Sequence, residues 1–206
     1  MDNEITSVAE LEAVIGRPLP ATAEKGRQAL HALDRAWLAA SPLVFVGTVG
    51  VTGADVSPKG DPAGGLVHVI DDTTIAIPER PGNRRADGFH NLLRDPRVGL
   101  EFVIPGRGDT LRVTGTARIV SDAPWFYDLV VRGHRPILAM VVEIHELFHH
   151  CSKAFLRSKT WEPETWNPEA VPRRALIAQA LERKDEDIEA LDAYYGSPSY
   201  GAKIYG

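Results

Sequence analysis

Short connections between β-branched segments constrain this chain more than any other feature. Residues 65–70 and 73–77 flank Asp71-Asp72, which reads as a two-residue hairpin connection. Residues 97–104 and 110–120 form a second hairpin across Pro105-Gly106-Arg107-Gly108. The run 43–49 is a buried strand by its β-branched density, and 137–148 is another, rich in Val and Ile. Six or seven antiparallel strands joined by hairpins point to a small barrel. The expected fold is therefore mainly β (α+β), a six- to seven-stranded antiparallel barrel with helices at both ends.

The flanks read differently. Ser7-Val8-Ala9-Glu10 is a capping box that opens a helix through Val14, ended by Gly16 and the prolines at 18 and 20. A second helix is expected over about 22–39, with Leu30, Leu33, Trp37 and Leu38 on one face, before Ser41-Pro42 breaks it. Asp87 starts a short helix through Phe89, Leu92 and Leu93, stopped by Asp95-Pro96. Pro124 opens another. Residues 173–192 read as one helix with a stripe of Leu176, Ile177, Ala180, Leu181, Ile188 and Leu191. A single domain is expected: terminal helices over 1–40, a barrel over 41–161 and a helical extension over 162–206.

Net charge of −5 argues against a general nucleic-acid binder, but the charge is uneven. Residues 80–118 hold eight arginines against four acids, whereas 181–192 hold six acids against two bases. A local basic centre in an acidic protein suits a small anionic ligand. A lone cysteine, Cys151, excludes an internal disulfide and fits a reducing compartment. No run approaches the roughly 18 apolar residues needed to span a bilayer. The first residues lack the pattern of a signal peptide, so the expected location is cytoplasmic, without nucleic-acid or membrane partners.

The basic centre is sharpest at Asn83-Arg84-Arg85, where a turn runs into the helix at Asp87. A helix amino end carries about half a positive charge, so neighbouring cations are unfavourable there. Two arginines at such a place make sense if an anion, most simply a phosphate, sits between exposed amides and guanidinium groups.

With these strands placed, the chain resembles the pyridoxamine 5′-phosphate oxidase-like proteins and their flavin-binding split β-barrel. Four landmarks between Ser41 and Trp161 carry the resemblance: the runs 55–60 (DVSPKG), 77–85 (IPERPGNRR), 91–100 (NLLRDPRVGL) and 111–118 (LRVTGTAR). A further run, Cys151-Ser152-Lys153-Ala154-Phe155-Leu156-Arg157-Ser158-Lys159-Thr160-Trp161, is similar to one branch of that family. The resemblance implies a homodimer binding FMN between its subunits and acting as an oxidoreductase on a small organic substrate, with NAD(P)H as a candidate donor. Arg84 and Arg85, beside Asn83, would grip the phosphate. Ser57 and Lys59, around Pro58, would contact phosphate or ring, and Ile77 and Pro78 would offer backbone groups to the ring edge. Arg112 falls where a polar contact is usual, and Arg157 and Trp161 would come from the partner chain. The same resemblance leaves the deazaflavin F420, or a non-catalytic role in binding flavin or haem, as alternatives. Vitamer oxidases close with a basic segment, whereas this chain ends in an acidic helix and the run 199–206, which argues against the vitamer as substrate.

Other signals compete. His145-Glu146-Leu147-Phe148-His149 spells the zinc-protease motif, but that chemistry needs a helix. On the expected strand the two histidines lie roughly 13 Å apart, too far to share an ion about 2 Å from each nitrogen. No metal site is therefore expected. Cys151 lacks an identifiable oxyanion device and reads as a buried packing residue. The tryptophans at 125 and 166 read as packing.

Overall fold

The computed structural model describes residues 3–201, 204 and 205, so Met1, Asp2 and three residues of the expected tail, Ala202, Lys203 and Gly206, lie outside it. In chain order the elements are α1 (Val8–Ile15), α2 (Pro20–Ala23), α3 (Ala32–Ala40), β1 (Leu43–Gly50), β2 (Gly53–Gly60), β3 (His68–Val69), β4 (Thr74–Glu79), α4 (Asp87–Leu92), β5 (Arg97–Val103), β6 (Thr110–Val120) and β7 (Leu138–His150). After the sheet come α5 (Lys153–Ser158), α6 (Arg174–Leu181), α7 (Ile188–Tyr195) and α8 (Ser197–Gly201). A 3-10 helix at Pro124–Leu129 buries Phe126 and Leu129 where Pro124 announces a helix start.

The strands form one sheet in the order β2-β1-β5-β6-β7-β4-β3, every neighbouring pair antiparallel. This is the α+β split-barrel architecture. Alternation decides its inside: Val44 and Val46 of β1, Val98, Leu100 and Phe102 of β5, and Leu111 and Val113 of β6 are buried together with Ile77, Met140 and Leu147. β2 and β4 are not neighbours in this order, yet Lys59 of β2 forms an ion pair with Glu79 of β4. The sheet therefore curls until two strands that share no ladder face each other across a gap. α4 closes one end of this split by burying Phe89 and Leu92, and Asn91 fixes it: its Nδ2 donates to Thr48 Oγ1 at 3.0 Å and to Asp55 Oδ2 at 3.2 Å.

The curl has a local cause. Thr114 pairs with Glu146 but Gly115 pairs with Ile144, so His145 is the extra residue of a β-bulge in β7. Bulges bend a strand and raise its twist. The backbones approach so closely here that a Cβ on Gly115 would sit 1.9 Å from the Glu143 carbonyl oxygen.

Two helix expectations are corrected. The expected helix over 22–39 is broken between α2 and α3, where Arg27 exchanges two backbone hydrogen bonds with Leu147 at 3.0 and 2.7 Å. β4 reaches only Glu143 of β7, and the segment around Arg27 pairs with the edge left beyond it. Satisfying a buried edge outweighs local helical period. The expected helix over 173–192 is likewise two helices, because Asp187 turns its carboxylate to the amides of Glu189 and Ala190 and starts α7 afresh. Leu176 and Leu181 of the expected stripe are exposed, and Ala175, Ala178 and Leu191 are the buried contacts. α1 keeps its expected capping box between Ser7 and Glu10.

Gly115→Ala should destabilise the fold by about 3 kcal/mol or more, since the added methyl meets backbone. Gly99→Ala on β5, where a Cβ meets nothing within 4 Å, should change stability by less than about 1 kcal/mol. Urea denaturation of both variants checks the pair.

Candidate functional site

The gap between β2 and β4 is a cleft of about 450 Å³. In β2, Asp55, Ser57 and Lys59 are half-buried while Val56 and Pro58 are exposed, so the first three share the face turned to the gap. Glu79 stands opposite, and the loop from Asn83 to Ala86 with the start of α4 forms the third wall. Lys59 lies 4.8 Å from the centre of the Phe89 ring and is ion-paired with Glu79. Arg85 is ion-paired with Asp87, which raises its guanidinium pKa through that hydrogen bond and charge. Asn83 Oδ1 accepts from the Arg85 amide at 3.0 Å, an Asx turn that shapes the loop.

Three carboxylates (Asp55, Glu79, Asp87) thus face two cations in this cleft. An anion entering the cleft competes with those acids for the two cations. For Arg85 the exchange is easy, because its side chain is 77% exposed and exposed pairs contribute little. Ala86 caps α4 without any side-chain acceptor, so the first-turn amides at the cleft lack that partner.

Arg84 and Arg85 are expected as one grip, but the loop separates them. Arg84 (φ 63°) and Ala86 (φ 50°) are both left-handed, uncommon for residues other than glycine. Arg85 lines the cleft, whereas Arg84 lines a second, larger cavity of about 1200 Å³ on the other side of the loop.

Ile77 and Pro78 are buried, and neither lines the cleft. The carbonyls of Thr73 and Glu79 accept from Ile144 and Ile137, so odd-numbered residues of β4 direct their backbone groups toward β7. Ile77 is committed to that ladder. Pro78 faces the opposite side, past the end of β3, where a strand proline loses no ladder bond. Arg112 is on the outer face of β6, 5.5 Å from the centre of the Phe148 ring. Arg157 is exposed on α5, and Trp161 stacks on Phe155 and donates from Nε1 to the Arg107 carbonyl at 2.7 Å. None of these three lines the cleft of its own chain. Sequence reading missed Glu79 and Asp87, the acids that pair with the cations, and Asp55 and Asn91, whose hydrogen bond helps position α4. The period-two pattern of β2 carries the signal for Asp55.

A family model described as pyridoxamine 5′-phosphate oxidase matches residues 30–151, more than half of the chain. The chain belongs to the pyridoxamine 5′-phosphate oxidase family. No curated protein matches it. Among solved structures, HupZ of Group A Streptococcus is 18% identical, over 58% of this chain and 93% of its own, with a TM-score of 0.46. A candidate pyridoxamine 5′-phosphate oxidase from Lactobacillus delbrueckii is 22% identical over 59% and 95%, TM-score 0.45. An F420 reductase is 15% identical over 55% and 94%, TM-score 0.43. Within this family the cleft residues all fall inside the matched region, and the chain after Cys151 falls outside it.

The His-Glu-x-x-His run lies on β7, with His145 as the bulged residue, so the helix that motif requires does not form. His149 serves the core instead. Its Nε2 lies 3.1 Å from Asp34 Oδ1, and its ring meets Trp37 edge-on at 5.0 Å. Asp34, buried on α3, also accepts from Arg27 and from the His31 amide at 2.8 Å. Cys151 corrects the expectation of a buried thiol: it is exposed just past the end of β7. Trp166 is exposed too, whereas Trp125 stacks on His68. Among the described residues no helix is long and apolar enough to cross a membrane.

Burial would lift the Asp34 pKa, but hydrogen bonds from Arg27 and the His31 amide, with the Arg27 charge, hold it below the usual aspartate value. A carboxylate depressed in the folded state stabilises above its unfolded pKa, about 3.9, and loses that contribution as pH falls through the folded value. Asp34→Asn should therefore cost about 1–3 kcal/mol at pH 7, with a deficit that shrinks toward pH 2. Urea midpoints from pH 7 to pH 2 read this directly.

Proposed function

We propose that the protein is an FMN-dependent oxidoreductase acting on a small organic molecule, with the cofactor phosphate in the split between β2 and β4. The supporting observation is the donor set there: Lys59, the Ser57 hydroxyl, an exposed Arg85 and first-turn amides of α4 without a side-chain cap. A ribityl phosphate is a dianion, and charge-assisted bonds to such donors are roughly twice as strong as neutral ones. The ion pairs to Glu79 and Asp87 keep both cations in place until phosphate replaces the acids. The residues present thus fit the group.

When bound, the flavin ring supplies two-electron chemistry that no side chain of the cleft offers. The chain's own part is to bind and orient. Phe89 packs below Lys59 and gives the cleft an apolar floor. Arg157, Trp161 and Arg112 lie away from the cleft of their own chain, which suits delivery from a second copy in a homodimer. NAD(P)H is the proposed electron donor.

The protein purified with excess FMN should retain it, bleach on reduction and behave as a dimer in sedimentation. Lys59→Met and Arg85→Gln should each weaken FMN binding about tenfold or more, the scale of one hydrogen bond to a charged group. Riboflavin, which lacks the phosphate, should respond to neither change. Equal losses for both ligands would remove the phosphate from the split.

A further inference from the structure

The second cavity is the larger of the two and differs from the first in character. At about 1200 Å³ it exceeds the usual 300–1,000 Å³ of small-molecule pockets. It shares Glu79, Asn83, Ala86 and Phe89 with the cleft, so the two spaces meet across the arginine loop. Its walls are apolar and aromatic: Phe89, Leu93 and Ile137 from the barrel side, Tyr194, Tyr200 and Ile204 from the carboxy-terminal segment. Leu93 is 75% exposed and Ile137 is 56% exposed, large apolar side chains turned to open space.

Charge in this chamber is unbalanced in one direction. Glu79 is held by Lys59. Arg80 is saturated, with Nε 2.7 Å from Asp61 Oδ2 and its other nitrogens on the carbonyls of Leu129, His134 and Gly65. Arg84 has no ion pair among the described residues, and its left-handed backbone turns it out of the cleft. A guanidinium is always charged and offers a planar fork to an oxyanion.

The outer wall is tethered. Tyr205 donates its hydroxyl to Asp61 Oδ1 at 2.9 Å and stacks on His134 at 5.8 Å, which holds the residue next to Ile204 on the barrel. That segment lies outside the region matched by the family model, so the chamber's outer wall is a feature of this chain beyond the family core.

We infer that this chamber takes a flat, largely apolar organic anion, a multi-ring carboxylate or sulfonate, with Arg84 recognising its charge and the tyrosine-bearing segment covering its rings. The inference rests on the proposed flavin site, since it names the substrate class presented beside that site. Aromatic groups on opposing walls suit a planar ring system. Arg84 acts as a specificity residue, and Arg85 remains with the cofactor.

The test uses the full chain and two fluorescent dyes of the same shape, anionic 1-anilinonaphthalene-8-sulfonate and neutral N-phenyl-1-naphthylamine. Both should bind saturably. Arg84→Gln should weaken the sulfonate about tenfold, the value of a charge-assisted hydrogen bond, and leave the neutral dye nearly unchanged. Leu93→Asp, at an exposed position, should weaken both, and circular dichroism melting should show both variants folded. A sulfonate indifferent to Arg84→Gln, or dyes indifferent to Leu93→Asp, would overturn the assignment. FMN titrated into the same samples separates the two readings. If the dyes follow this pattern but no FMN binds, the chamber stands and the flavin site falls. If FMN binds and the dyes ignore Arg84, the reverse holds.

Discussion

The extra residue at His145 and the close approach at Gly115 set the shape on which every other feature depends. The bulge bends β7 between the stretch that pairs with β4 and the stretch beyond it. With it, Lys59 and Glu79 meet although their strands share no hydrogen bond. α4 then plugs the barrel through Phe89 and Leu92 and brings its amino end to the opening.

The electrostatics follow from that geometry. A cleft with two cations and no acids would repel itself in the absence of ligand. Glu79 and Asp87 remove that repulsion and hold Lys59 and Arg85 near where an anion would need them. The partly buried Lys59 pair is the more persistent, and the exposed Arg85 pair the more easily exchanged. On the far side of the loop, Arg84 has no ion pair among the described residues, and its surroundings are largely apolar. One guanidinium on each side of a short loop thus stands in a different environment.

Much of this was legible in the sequence. The hairpins around Asp71-Asp72 and 105–108, the strand over 43–49 and the α4 start at Asp87 follow from turn chemistry and residue period, and the structure has them, with Thr73 as a third residue in the first connection. The break in the helix expected over 22–39 was not legible, because Arg27 leaves the helical path to pair with a strand 120 residues away in sequence. Ser57 and Lys59 on one face follow from alternation. The separation of Arg84 from Arg85 depends on left-handed φ angles at Arg84 and Ala86, which those residue types do not announce. The zinc-protease spelling at 145–149 had no bearing on the chemistry, since its residues are a bulge, a strand and a core contact to Asp34.

A crystal structure of the protein grown with excess FMN tests the central claim most directly. The phosphate should lie between β2 and β4, bonded to Lys59, Arg85 and the first-turn amides of α4, with Glu79 and Asp87 released from their present partners. A phosphate bound elsewhere, with the Lys59–Glu79 and Arg85–Asp87 pairs intact, would contradict it.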